Sequence, residues 1–134
     1  MSAQENTQVI QNIYAAFGQG NVATILNALA SDVEWIHTAA PGIPFGGTYR
    51  GTQQVGTFFQ KLAESQDLLG FEPREFIAQG DAVAVFGSIK GRSKATGKSY
   101  ETDWVMNWHL QNGKVTKFHH IFDSAIVEPA FQKN

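Results

Sequence analysis

The sequence predicts an α+β fold, a cone-shaped barrel in which N-terminal helices pack on a strongly curved, mostly antiparallel sheet. Three observations carry this expectation. Apolar residues recur at helical spacing through the first half, with one strand between them. Four segments of strand-like pattern fill the second half. Short turn signals join those segments, so neighbours run antiparallel. At 134 residues the chain is near the common size of one domain, and residues 1–134 are read as one.

From Gln4 to Phe17, Ile10, Ile13, Tyr14 and Phe17 form one stripe opposed by Gln, Asn and Glu, which predicts an amphipathic helix. Gly18 and Gly20 end it, and Asn21 is placed to cap a short second helix carrying Val22, Ile25, Leu26 and Leu29. Ser31 and Asp32 break that pattern. The alternation of Val33, Trp35 and His37 predicts a first strand, followed by a Pro- and Gly-rich loop from Ala39 to Arg50 that is a candidate lid. Thr52 is the expected cap of a third helix with Val55, Phe58, Phe59 and Leu62 on one face, ending before Gly70. Strands are then expected at 71–79, 82–90, 100–111 and 114–124, with turns at Gly80-Asp81, Thr96-Gly97 and Asn112-Gly113. The segment from Ala125 to Phe131, which contains Pro129, reads as an irregular tail or a single helical turn.

Asn112-Gly113 is the strongest short signal for a two-residue type I′ hairpin, and it sets a register. Gln111 opposes Lys114; counting back without interruption, Trp108 opposes Lys117, Met106 opposes His119, Trp104 opposes Ile121 and Thr102 opposes Asp123. Opposed residues share a face. Trp104, Met106, Trp108, His119, Ile121 and Asp123 are therefore expected on one side. Asp103, Val105, Asn107, His109, Phe118, His120 and Phe122 are expected on the other. The second set is also substantially apolar, so helices are expected to cover the first face and a second copy of the chain the other, as a homodimer.

Hydrophobic residues make up 43% of the chain and charged residues 16%, which favours a large buried surface. A formal charge of −2 gives no footprint for nucleic acid or an anionic membrane. No apolar run approaches the roughly 20 residues of a membrane span. The polar N-terminal stretch lacks the pattern of a signal peptide, and a cytoplasmic location is expected. Without cysteine, disulfides, thiolate catalysis and cysteine zinc sites are excluded. The four histidines have no matching carboxylate cluster or i,i+4 pairing, so no metal and no cofactor are expected. Gly91 to Ser99 imitates a phosphate-binding loop, but its spacing is one residue too long and it joins two strands instead of opening a helix.

Asp123 is the first candidate for chemistry. A carboxyl on an aromatic face is desolvated, which raises its pKa toward the range of acid/base work. His119 is expected on the same face about 13 Å along the strand, with His37 at the pocket mouth. Tyr14, Phe17, Trp35, Phe45, Phe58, Trp104, Met106, Trp108 and Ile121 complete the expected lining of a pocket for a flat apolar molecule.

The order of elements, and the stretches Val33-Glu34-Trp35, Ile43 to Gly51 and Phe71 to Asp81, together with Glu101, Trp104, Trp108, Gly113-Lys114, Phe118 and Asp123, resemble the nuclear transport factor 2-like superfamily. Within it they resemble the SnoaL-like, ketosteroid-isomerase-related branch. The resemblance implies that Asp123 corresponds to the pocket aspartate that looks like the acid/base of the polyketide cyclases of this branch. Met106 stands where many relatives carry a pocket histidine, and Ile121 where tyrosine is common. The function implied is a cofactor-independent isomerase or cyclase moving a proton on a small hydrophobic carbonyl compound, steroid-, terpenoid- or polyketide-like. The alternatives are a non-catalytic binding protein for an apolar metabolite and a dimeric interaction domain with a filled core.

Overall fold

The computed structural model describes residues 2–133. Helix α1 (Ala3–Gly18) opens with a capping box: Ser2 Oγ accepts from the Glu5 backbone N–H, and the Glu5 carboxylate accepts from the Ser2 N–H. Helix α2 (Val22–Asn27) is capped by Asn21, whose Oδ1 accepts from the Thr24 N–H. Leu29 lies outside this helix and begins strand β1 (Leu29–His37). The expected lid is shorter than its sequence suggested, because Gly47–Arg50 forms strand β2 against β1. Helix α3 (Gly51–Ser65) starts one residue before the expected Thr52 cap. Its entry is held instead by the Gln54 side chain, which accepts from the Arg50 N–H at 2.8 Å.

Strand β3 (Gln66–Gln79) begins at Gln66 instead of Phe71, and β4 (Ala82–Ser93), β5 (Ser99–Gln111) and β6 (Lys114–Phe122) follow. The chain closes with helix α4 (Ser124–Phe131), longer than the expected turn. The strands form one sheet in the order β2-β1-β6-β5-β4-β3. Among the described residues only β1 and β6 pair in parallel; the other neighbours are antiparallel. Register shifts in β3, between Leu68 and Gly70 and between Pro73 and Glu75, add local bends that help the sheet wrap around the helices.

The hairpin register holds for two pairs and then slips. Gln111 faces Lys114 and Leu110 faces Val115, with Asn112 (φ 51) and Gly113 (φ 78) in the left-handed conformations a type I′ turn needs. The next pair is His109 with Lys117, which leaves Thr116 as an extra residue. Its Oγ1 donates to the His109 carbonyl at 3.2 Å. This bulge reverses the faces of the rest of β6, because side chains alternate with a period of two. Trp108 therefore pairs with Phe118, Met106 with His120 and Trp104 with Phe122, while His119 pairs with Asn107 and Ile121 with Val105. The uninterrupted register expected from the sequence is corrected accordingly.

The concave face and the helices enclose a core that includes Ile10, Val33, Val55, Val85, Trp104, Trp108 and Phe118. On the convex face Ile77, Phe86 and Ile121 stay exposed at 53%, 39% and 49%, so a band of apolar side chains there has no cover among the described residues.

Candidate active site

Between the helices and the concave face lies a cavity of about 360 Å³. Tyr14 and Phe17 reach it from α1, Trp35 and His37 from β1, Phe45 from the 38–46 loop, and Phe58 from α3. Met106 and Trp108 from β5, His120 and Phe122 from β6, and Val127 from α4 complete this part of the wall. Gly20, Ala63 and Leu68 are both lining and exposed, which places the mouth where α1 and α3 end and β3 begins. Among the described residues, no Asp, Glu, Lys or Arg is part of the lining.

Two imidazoles meet in this wall. His37 and His120 are brought side by side by the parallel pairing of β1 and β6, in which they are direct partners. His120 Nδ1 lies 2.6 Å from His37 Nε2, and the rings stand nearly perpendicular at 82°. Phe45, Phe58 and Phe122 pack around His37 at centroid distances of 5.2 to 5.3 Å. Burial in this apolar shell disfavours the charged form and pushes His37 down to about 3, partly opposed by its own backbone carbonyl. His120 is held well below the usual histidine range by burial first, and then by His37 and His119. Both rings are thus neutral near pH 7. His37 Nδ1 and His120 Nε2 are buried and have no hydrogen-bond partner.

A second polar group comes from α1. Tyr14 Oη accepts from Trp108 Nε1 at 3.0 Å and donates to the Met106 thioether at 3.1 Å. Burial pushes its ionisation up. Sulfur is a weak acceptor, so the hydroxyl hydrogen is poorly satisfied and free to turn to an oxygen in the cavity. Tyr100, pushed up to about 12 by burial, spends its hydroxyl on Gln66 Oε1.

The structure separates the expected site residues into two groups. Tyr14, Phe17, Trp35, His37, Phe45, Phe58, Met106 and Trp108 line the cavity. Trp104 is buried behind it, stacked on Phe71 at 5.1 Å. Ile121 lies on the outer face, 49% exposed. His119 is also outside, its Nε2 2.8 Å from Thr38 Oγ1. Asp123 is exposed and caps α4, its Oδ1 accepting from the Ala125 N–H at 3.1 Å. The inward placement expected for Asp123, His119 and Ile121 is thus corrected, and its cause is the extra residue at Thr116. His120, Phe118 and Phe122 take their place. The signal was present in the sequence, since the uninterrupted register also set Lys117 against Trp108 on the aromatic face, where a lysine has no partner.

The family model of the SnoaL-like domain matches residues 10–118. The chain belongs to the SnoaL-like domain family. It is similar to an NTF2-like protein of Burkholderia xenovorans LB400, at 35% identity over 98% of this chain and 99% of that one, with a TM-score of 0.90. An NTF2-like protein of Burkholderia thailandensis E264 superposes with a TM-score of 0.88 at 28% identity, covering 99% of this chain and 100% of that one. TerC, in a structure co-crystallised with polyporic acid, matches at 32% identity and a TM-score of 0.83, over 96% of this chain and 99% of its own. No curated protein matches the chain. Among the described residues, no helix of this SnoaL-like protein is long and apolar enough to cross a membrane.

Proposed function

We propose that this SnoaL-like protein is a cofactor-independent enzyme of the isomerase or cyclase kind, moving a proton on a small uncharged carbonyl compound held in the apolar cavity. One observation carries the reading: a hydrogen-bonded pair of neutral histidines is set into a wall otherwise made of rings and aliphatic groups. An imidazole that is neutral at pH 7 has a lone pair ready to accept a proton, and general acid/base catalysis by such a group contributes roughly 10²- to 10⁴-fold. The Tyr14 hydroxyl is a further hydrogen-bond donor to the carbonyl oxygen beside the histidine pair, and the aromatic walls hold the ring system and exclude water. That a relative of 32% identity was co-crystallised with polyporic acid supports a small organic ligand in this fold.

The homodimer is proposed through the convex face, where Ile77, Phe86 and Ile121 are exposed. A second functional reading, a binding protein for an apolar metabolite, is favoured by the lack of any carboxylate in the lining among the described residues. Exchange of the α-protons of 1-tetralone and other uncharged bicyclic and tricyclic ketones in D₂O, followed by proton NMR, tests both. Enzymatic acceleration lost in His120→Gln and retained in Asp123→Asn supports the acid/base reading. Quenching of tryptophan fluorescence by the ketones without accelerated exchange favours the binding protein. Exchange that depends on Asp123 and not on His120 overturns the proposal.

A further inference from the structure

We propose that His37 and His120 act as a tautomeric proton relay, taking a proton from one atom of an uncharged, enolisable carbonyl compound and delivering a proton to another atom of the same molecule. The inference rests on the acid/base reading above and specifies how the pair performs it. Each neutral imidazole carries one N–H and one lone pair. One proton lies between the facing nitrogens, 2.6 Å apart. The two outer nitrogens, His37 Nδ1 and His120 Nε2, are therefore one donor and one acceptor in either tautomeric arrangement. Both are buried and without a hydrogen-bond partner, as are the indole nitrogens of Trp35 and Trp104; only the histidine nitrogens belong to one hydrogen-bonded unit. Native interiors rarely leave two such atoms unsatisfied on one hydrogen-bonded unit, so the pair matches a ligand that accepts at one end and donates at the other. In the arrangement that places the shared proton on His120 Nδ1, His37 Nδ1 is the donor and His120 Nε2 the base.

The surroundings favour a relay over a charged intermediate. Phe45 from the loop, Phe58 from α3 and Phe122 from β6 pack against His37, and Trp104, Phe118 and Phe122 ring His120. Around the pair, His119 is turned to the outer face, Tyr14 lies on α1, the Glu128 carboxylate on α4 accepts from the Gly42 N–H at 2.9 Å, and Glu34 of β1 pairs with Arg50 and with Lys117 of β6 at 3.3 and 3.9 Å. None is a counter-ion for an imidazolium in the cavity wall.

In the first transfer the His120 lone pair takes a proton from the carbon beside the carbonyl. The proton between the rings crosses to His37, and the His37 outer N–H proton goes to the carbonyl oxygen. The C–H electron pair becomes the C=C of an enol, the C=O π pair becomes the new O–H bond, and both rings have exchanged tautomers without net charge. A second transfer in the opposite sense removes the enol O–H proton at His37 and places a proton from His120 on a carbon further along a conjugated system. This restores the starting tautomers and completes an allylic isomerisation with no oxidant, reductant or co-reactant.

The test compares His37→Gln with His37→Phe in the 1-tetralone exchange assay, beside ¹⁵N NMR of histidine-labelled wild type at pH 7. Glutamine still offers an oxygen to His120 Nδ1–H but cannot pass a proton on. The relay requires that kcat falls by about 100-fold or more in both variants, with KM changed little in His37→Gln, and that both wild-type rings show one protonated and one bare nitrogen. Recovery of activity in His37→Gln relative to His37→Phe reduces His37 to a positioning residue and overturns the relay while leaving His120 as the base. A doubly protonated ring in the free protein overturns it as well. If wild type accelerates no exchange, or His120→Gln leaves it unchanged, the acid/base reading itself fails, and the relay with it.

Discussion

His120 Nδ1 lies 2.6 Å from His37 Nε2, joining strands that are parallel neighbours although 83 residues separate the two rings. The pair is where sequence distance, sheet topology and the bulge at Thr116 converge. Each partner is buried, neutral and short of one hydrogen bond.

Stability should fall in mild acid because of this pair. The folded-state pKa of His37 is depressed to about 3 from 6.5, so between those values the unfolded chain binds more protons than the folded one. The contribution is complete above pH 6.5 and is lost as pH falls toward 3. At pH 5 the loss from His37 alone is on the order of 2 kcal/mol. Urea unfolding at pH 7 and pH 5 should show it, and the His37→Gln, His120→Gln double variant should lose less between the two pH values.

Asp123→Ala should cost about 1 kcal/mol, the usual cost of a lost helix cap, while Asp123→Asn, which keeps a capping oxygen, should cost little. Thermal unfolding measures the difference. Tryptophan quenching by a cavity ligand should be the same in both variants as in wild type.

Deleting Thr116 restores the two-residue alternation and turns Phe118, His120 and Phe122 toward solvent while driving Lys117 inward. Loss of cooperative unfolding by circular dichroism is the expected result. The milder Thr116→Val keeps the residue count and removes only the hydroxyl bond to His109, at about 1 kcal/mol.

The bulge also explains which parts of the fold were legible. The turn at Asn112-Gly113 is local chemistry, and its two nearest pairs follow from it directly. Helices α1 and α3 declare themselves by apolar stripes, and most of the lining on α1, α3, β1 and β5 was readable. Beyond Val115 the inward residues are Phe118, His120 and Phe122, a change of parity that only the packing of both faces decides. One unpaired residue then moved Asp123 from the expected pocket to a helix cap. The extension of β3 back to Gln66 was hidden for a related reason, since Leu68 and Leu69 follow no clean alternation and are both 44% exposed. Strand β2 is four residues long and reads as loop until β1 supplies its partner.

Gly87→Ala should be among the most damaging small changes. A Cβ at this site of β4 would fall inside contact distance of the Glu72 carbonyl and the Trp104 indole, backbone on one side and a buried ring on the other. Overpacking of this kind costs about 1–3 kcal/mol, which a urea midpoint resolves.

The proposed dimer has an equally direct handle. Ile121→Lys places a charge in the exposed apolar band without touching the cavity. Sedimentation equilibrium should show a dimer for wild type and a monomer for the variant, with tryptophan quenching by the ketones retained.

A crystal structure of the protein soaked with 1-tetralone tests the role of the histidine pair most directly. The expected density is a ketone inside the cavity with its oxygen within hydrogen-bond distance of an outer nitrogen of His37 or His120. A ketone seated at Asp123, or bound in the cavity with its oxygen turned away from both rings, contradicts it.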